Sequence, residues 1–221
     1  MFRYKKEILM IHFLLGALIG YCFGNINPAY IIARIRGFDI RKQGSGNAGA
    51  SNVAIVIGKK AAVFTALFDI FKSVAANFIV FALFPELPCS HILGGAFCII
   101  GHIFPVIMGF RGGKGLACLG GLVLAYDPLK FLLLLVIEVV IALALDYICI
   151  IPTTGSLLLM TIYALSTGDP IGTFILAVIA VIIMIKHQQN FLRIMADTEA
   201  HISFLWNKDK EIGRIKRNSN T

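Results

Sequence analysis

Apolar segments follow one another along this chain from end to end, at residues 8–23, 61–84, 92–108, 116–126, 129–151, 156–166 and 171–185. A water-soluble domain has no way to bury so many, and a helix needs about 20 predominantly apolar residues to cross a bilayer upright. The chain therefore reads as an all-α, polytopic integral membrane protein of about seven transmembrane helices. Several segments fall short of that length, 116–126 and 156–166 most of all. Composition agrees: 58% of residues are hydrophobic and 14% charged, and the mean hydropathy is +0.84, well outside ordinary soluble domains. No stretch carries the polar patterning of a separate soluble domain, so residues 1–221 form a single domain with a basic tail from about 200.

The net charge of +8 sits in short loops between apolar segments. Basic loops ordinarily mark the cytoplasmic side, so the charge is read as topology and not as nucleic-acid binding. The connection 26–60 carries Arg34, Arg36, Arg41, Lys42, Lys59 and Lys60; the loop around Arg111 and Lys114 and the tail beyond 185 are also basic. The intervening loops "FPELPCSH", "YDP" and "STGDP" have no Lys or Arg. Seven crossings put the basic group and the C-terminus in the cytoplasm, against the pull of Arg3, Lys5 and Lys6 at the other end. The first apolar run has no small-x-small cleavage site after it and is expected to remain as a span. The five cysteines are scattered without a CxxC pair, which favours small buried side chains over a disulfide or zinc framework.

Three polar clusters fall on the basic face. In "RKQGSGNAGASN", residues 41–52, Gly44, Gly46 and Gly49 let the backbone approach a ligand, while Ser45, Asn47, Ser51 and Asn52 offer hydrogen-bonding groups beside Arg41 and Lys42. A plain flexible loop is the alternative. In "FRGGKGLACLGG", residues 110–121, a helix starting at Leu116 would have Gly112, Gly113 and Gly115 at its N-terminus, where free N–H groups and the helix dipole attract anions. Lys114 supplies a compact charge and Arg111 a two-pronged one; anchoring to lipid headgroups would need the cations but not the glycines. In "KHQQNFLRIMADTE", residues 186–199, His187, Asn190, Arg193 and Ile194 share helical spacing if the last span continues. His187 is otherwise an interfacial side chain. Inside the spans, Asp69 and Lys72 stand three apart, in reach of each other on one helix, and Glu138 and Asp146 share a face expected to look inward.

The ordered set of motifs resembles the acyl-phosphate:glycerol-3-phosphate acyltransferases, the PlsY family of bacterial inner-membrane enzymes, over nearly the whole chain. The family pattern GSGNxGxxN is met by Gly44, Ser45, Gly46, Asn47, Gly49 and Asn52. GHxxPxxxxFKGGKG is met by Gly101, His102, Pro105, Phe110, Gly112, Gly113, Lys114 and Gly115, with Arg111 replacing Lys. HxxNxxRLxxGTE is met by His187, Asn190, Arg193, Thr198 and Glu199, with Ile194 for Leu and Asp197 for Gly. Further departures are "GNINP" where GSIP is frequent, Gln188 and Gln189 for Arg and Glu, and Ser73 for Gly. Asp197 brings a β-carbon and a negative charge into a turn beside an anion site.

The resemblance implies a cytoplasmic-facing enzyme of the plasma membrane. It would transfer a fatty acyl group from acyl phosphate to the 1-hydroxyl of glycerol 3-phosphate, giving lysophosphatidate and phosphate at the entry to phospholipid synthesis. Its partners are those two substrates, membrane lipid and, functionally, an enzyme that makes acyl phosphate. No metal or organic cofactor is implied. An acyl phosphate has a good leaving group, so direct attack by the glycerol hydroxyl suffices without a Ser or Cys acyl intermediate. His187 is the candidate to position that hydroxyl or accept its proton; a substrate phosphate oxygen is the alternative acceptor. The catalytic set is His187, Ser45, Asn190 and Lys114. The phosphate-binding set is Arg41, Gly46, Asn47, Gly49, Asn52, His102, Arg111, Gly112, Gly113, Gly115, Arg193 and Glu199. A transporter or channel for a phosphorylated solute is the rival reading, with the basic loops as its gate.

Overall fold

Small residues decide which helices of this protein touch. In a membrane the hydrophobic effect does not drive helices together, and close approach at Gly, Ala and Ser faces does. Our computed structural model describes residues 2–205 and 207–218. Among the described residues there is no strand, and the α-helices are α1 (Phe2–Asn25), α2 (Pro28–Ile35), α3 (Ala50–Val56), α4 (Lys59–Leu83), α5 (Ser90–Ile103), α6 (Leu116–Tyr126), α7 (Pro128–Leu145), α8 (Ile151–Thr167), α9 (Pro170–Met195) and α10 (Lys208–Asn218).

The glycine-rich α5, "SHILGGAFCIIGHI", is the centre of the bundle and packs against α1, α4, α6 and α9. A Cβ on Gly20 or Gly101 would collide with a backbone carbonyl of the facing helix, as would one on Gly94 against α4. One apolar core joins residues of α4 to α9, with Leu9, Phe13, Ile19 and Phe23 of α1 packed against it. Outside this core the surface is apolar as well. On α7, Leu132, Leu133, Val136, Val139 and Val140 are all exposed, as expected where lipid is the solvent.

Among the described residues, six stretches are long and apolar enough to cross a membrane: Lys6–Ile35, Lys59–Leu83, Ser90–Met108, Pro128–Leu145, Ile148–Thr167 and Pro170–Met195. The seventh expected span, Leu116–Tyr126, is a helix of 11 residues, about 17 Å long at 1.5 Å per residue. It is enclosed by α4, α5, α7 and α8.

Several boundaries differ from the sequence expectation, each for a local reason. The first helix extends from 8–23 to Phe2–Asn25. The connection 26–60 is no open loop, because Asn27 accepts the Tyr30 N–H and Pro28 starts α2, while residues 50–56 form α3. The segment 129–151 breaks at Asp146, whose φ of +62° ends α7, and Pro152 opens α8 ahead of residue 156. Asp146 therefore lies past the helix end and not on the inward face; Glu138 is buried as expected, accepting the Thr154 hydroxyl at 2.6 Å. The basic tail folds back as the helix α10.

Candidate functional site

The two glycine loops and the end of α9 converge at one end of the bundle. The first loop is built around Asn52, which is fully buried at the start of α3. Its Oδ1 accepts the Ser45 N–H at 2.8 Å, and its Nδ2 donates to the carbonyls of Ile40 at 3.1 Å and Gln43 at 3.0 Å. Both ends of the amide are thereby committed to the loop, which corrects its expected contact with phosphate. Arg41 is also tied into the scaffold. It makes a forked ion pair with Asp39, Nε to Oδ1 at 2.9 Å and Nη2 to Oδ2 at 2.7 Å, and Nη1 donates to the Met108 carbonyl at 2.5 Å. The Arg41 cation holds the Asp39 carboxyl down at about 2. Arg41 is thus a strut between the first loop and the second. Gly46 turns at φ +74° with its N–H bonded to Gln43, and Gly49 is the N-cap of α3, with Asn47 folded against it. Ser45 is exposed at the rim.

The second loop leaves α5 and enters α6. As expected, α6 begins at Leu116, after Gly115 at φ +88°. The expected role of Gly112 and Gly113 as N–H donors to phosphate is corrected: their N–H groups donate to the carbonyls of Ile103 and His102, each at 3.1 Å. They are glycines for want of space. A Cβ on Gly112 would strike the His102 carbonyl and Pro105, and one on Gly113 would strike His102 Nε2 and the Ala48 carbonyl. The donors left for an anion are the amides of the first turn of α6, by the geometry of any helix start.

His102 is 3% exposed and lies beneath the loop, not on its open side. Its Nδ1 is 3.1 Å from Lys72 Nζ, which pairs with Asp69 at 2.6 Å and donates to the Ile26 carbonyl at 2.7 Å. The Asp69–Lys72 pair is as expected, and His102 is its unforeseen third member. Asp69, His102 and Cys118 come close enough together to suggest metal ligands, yet the Lys72 ammonium already occupies the position of a cation bonded to two of them. This buried group supports Gly113 from below.

The third cluster continues α9, as the spacing predicted. Lys114 Nζ donates to Asn190 Oδ1, the Asn190 amide donates to Glu199 Oε1 at 2.8 Å, and Arg193 Nε donates to Glu199 Oε2 at 2.6 Å. Lys114, Asn190, Glu199 and Arg193 thus form one chain of polar contacts between the second loop and the third. Burial, and then the Arg193 cation, push the Lys114 ammonium below its ordinary range. Arg111 is exposed. One turn before Asn190, His187 is 3% exposed, and its Nδ1 lies 2.8 Å from the Ile183 carbonyl. A carbonyl only accepts, so Nδ1 carries the proton and a neutral ring presents Nε2 as a base. Such a constellation has the chemistry to hold an anion beside a proton acceptor.

Sequence reasoning missed Asp39, and the pair Asp39/Arg41 in "FDIRK" was its only signal. The chain matches the family model described as "Glycerol-3-phosphate acyltransferase" over residues 14–197. It is 37% identical over 201 residues to the glycerol-3-phosphate acyltransferase of Listeria monocytogenes, covering 89% of this chain and 100% of that one. Over 192 residues it is 38% identical to the protein of the same name from Agrobacterium fabrum, covering 85% and 91%. It also resembles the crystal structure of PlsY, an integral membrane glycerol 3-phosphate acyltransferase, in its glycerol 3-phosphate form. There the TM-score is 0.78 at 29% identity, covering 87% of this chain and 96% of that one; the lysophosphatidic acid form gives 0.74.

Proposed function

This chain belongs to the glycerol-3-phosphate acyltransferase family, and from that premise we propose that it transfers a fatty acyl group from acyl phosphate to glycerol 3-phosphate at the cytoplasmic face of the membrane. It is an integral membrane acyltransferase, and its relatives give the rival transporter reading no support. The observation that carries the site assignment is the chain of contacts Lys114–Asn190–Glu199–Arg193 beside a His187 whose Nδ1 proton is fixed. Every basic loop converges on this end, which the positive-inside rule makes cytoplasmic.

Both substrates are phosphates, and one has a long apolar chain. Lys114, Arg111 and the terminal nitrogens of Arg193 hold and neutralise the anions, with Ser45 and Asn47 on the opposite rim. The 1-hydroxyl of glycerol 3-phosphate attacks the acyl carbonyl carbon, and His187 Nε2 takes its proton. As the tetrahedral intermediate collapses, the bond from carbon to the phosphate oxygen breaks and phosphate leaves with the electron pair. The cations and the first-turn amides of α6 stabilise the charge that develops. Asn190 keeps Lys114 in place, and Asn52, Arg41 and His102 hold the loops.

The test is purified protein in lipid with palmitoyl phosphate and glycerol 3-phosphate, following phosphate and lysophosphatidate together, with acyl-CoA and acyl carrier protein as control donors. Equimolar products from acyl phosphate alone are expected. Transfer from acyl-CoA with none from acyl phosphate would overturn the donor assignment.

A further inference from the structure

The matched family region ends at residue 197, yet the contacts that shape the site continue beyond it. Asp197 sits at φ +50°, a left-handed conformation that glycine adopts most freely. The turn it makes returns the Thr198 and Glu199 N–H groups to the Arg193 carbonyl, at 2.8 and 3.1 Å. It thereby aims the Glu199 carboxylate at Asn190 and Arg193. The groups that secure the turn come from α10. Arg214 Nη1 donates to the Asp197 carbonyl at 2.7 Å and to its Oδ1 at 2.5 Å, and Nη2 donates to the Glu199 carbonyl at 2.5 Å. Asn218 Nδ2 adds a bond to Asp197 Oδ2 at 2.7 Å. Glu211 aligns the guanidinium at 2.6 Å and also accepts the His201 N–H at 2.9 Å. Residues 211, 214 and 218 share one helical face, so α10 is built to clasp this turn.

We propose that Arg214 is a positioning residue for acyl transfer. It fixes the Asp197 turn so that Glu199 holds Asn190 and Arg193, and through Asn190 it steadies Lys114. The C-terminal helix is then a working part of the anion site although it lies outside the matched family region. A planar guanidinium suits the task because its separate N–H groups reach two carbonyls and two carboxylates at once, which an ammonium does less well. The proposal rests on the acyltransferase reading for its kinetic consequence.

The test uses the full-length protein in lipid nanodiscs as wild type, Arg214→Ala, Arg214→Lys, Asp197→Gly and the double variant Asp197→Gly/Arg214→Ala. Each is assayed for kcat and for KM toward glycerol 3-phosphate, and for amide exchange across residues 196–199. For Arg214→Ala we expect KM to rise about tenfold or more, kcat to change less than about threefold, and exchange in the turn to accelerate. Arg214→Lys should recover part of the KM. In the Asp197→Gly background, where glycine takes the turn without strain, the loss on adding Arg214→Ala should shrink to about threefold or less. Wild-type KM and exchange in Arg214→Ala would overturn the proposal, as would equal losses in both backgrounds, or a fall in kcat with KM unchanged, the mark of a smaller folded fraction. An inactive wild type whose turn still loosens in Arg214→Ala would sink the acyltransferase reading and leave the clasp standing.

Discussion

Replacing Gly113 with Ala separates two accounts of the glycine loop. Alanine keeps the backbone N–H, and Gly113 is not among the glycines with positive φ, so its backbone conformation is open to alanine. If Gly113 serves by giving its N–H to phosphate, the variant should work nearly as well as wild type. The structure predicts otherwise. The new methyl would fall against His102 Nε2 and 2.9 Å from the Ala48 carbonyl, and His102 has no room to retreat because Lys72 and Asp69 hold it. Forcing a methyl into such a packed site costs about 1–3 kcal/mol. Paid at the transition state, that is about a five- to 150-fold loss in kcat/KM, since each 1.4 kcal/mol is about tenfold. Steady-state kinetics and a thermal unfolding scan on the same preparation measure both effects. Unchanged kcat/KM with an unchanged unfolding midpoint would refute the packing argument.

The remaining predictions concern charge and scaffold. The Lys114 ammonium is pushed below its ordinary value of 10.5, so its charge is present at low pH and lost as pH rises through a value under 10.5. The KM for glycerol 3-phosphate should climb over that alkaline range, and Lys114→Arg should move the climb to higher pH; identical profiles would contradict this. Asn52→Asp keeps the acceptor for Ser45 but sets a carboxylate oxygen against two carbonyls, a cost of about 2–4 kcal/mol, so loop order and activity should fall together; a fully active, equally stable variant would refute it. Lys72→Met removes the ammonium from buried Asp69 and leaves it only His102, 3.4 Å away, a loss of about 3–5 kcal/mol, seen as a lower unfolding midpoint that Asp69→Asn in the same chain partly restores. A midpoint equal to wild type would remove the buried pair from the account.

The sequence carried the features that depend on local rules. The continuation of α9 through His187, Asn190 and Arg193, the start of α6 at Leu116 and the Asp69–Lys72 pair all follow from helical spacing and were read correctly. What was hidden depends on partners distant in sequence. Nothing in "RGGKG" says that the Gly112 and Gly113 amides point back to the end of α5, or that their missing β-carbons make room for His102 and Ala48. The contacts of Arg41 with Asp39 and Met108 need the fold to be seen. Hydropathy likewise joins residues on both sides of Asp146, because the break there comes from one backbone angle. The short, charged sequence of α10 reads as a tail because its contacts with the Asp197 turn lie far along the chain.

The division of labour between Lys114 and His187 is the core of the account, and binding of glycerol 3-phosphate measured apart from turnover tests it most directly. Calorimetric titration of purified protein with glycerol 3-phosphate, beside the acyl-transfer assay, should show binding weakened at least about tenfold in Lys114→Ala, as expected on losing a charged hydrogen-bonding group. In His187→Ala binding should stay within about threefold of wild type while turnover falls by about two orders of magnitude. Full affinity in Lys114→Ala, or near-normal turnover in His187→Ala, would contradict it.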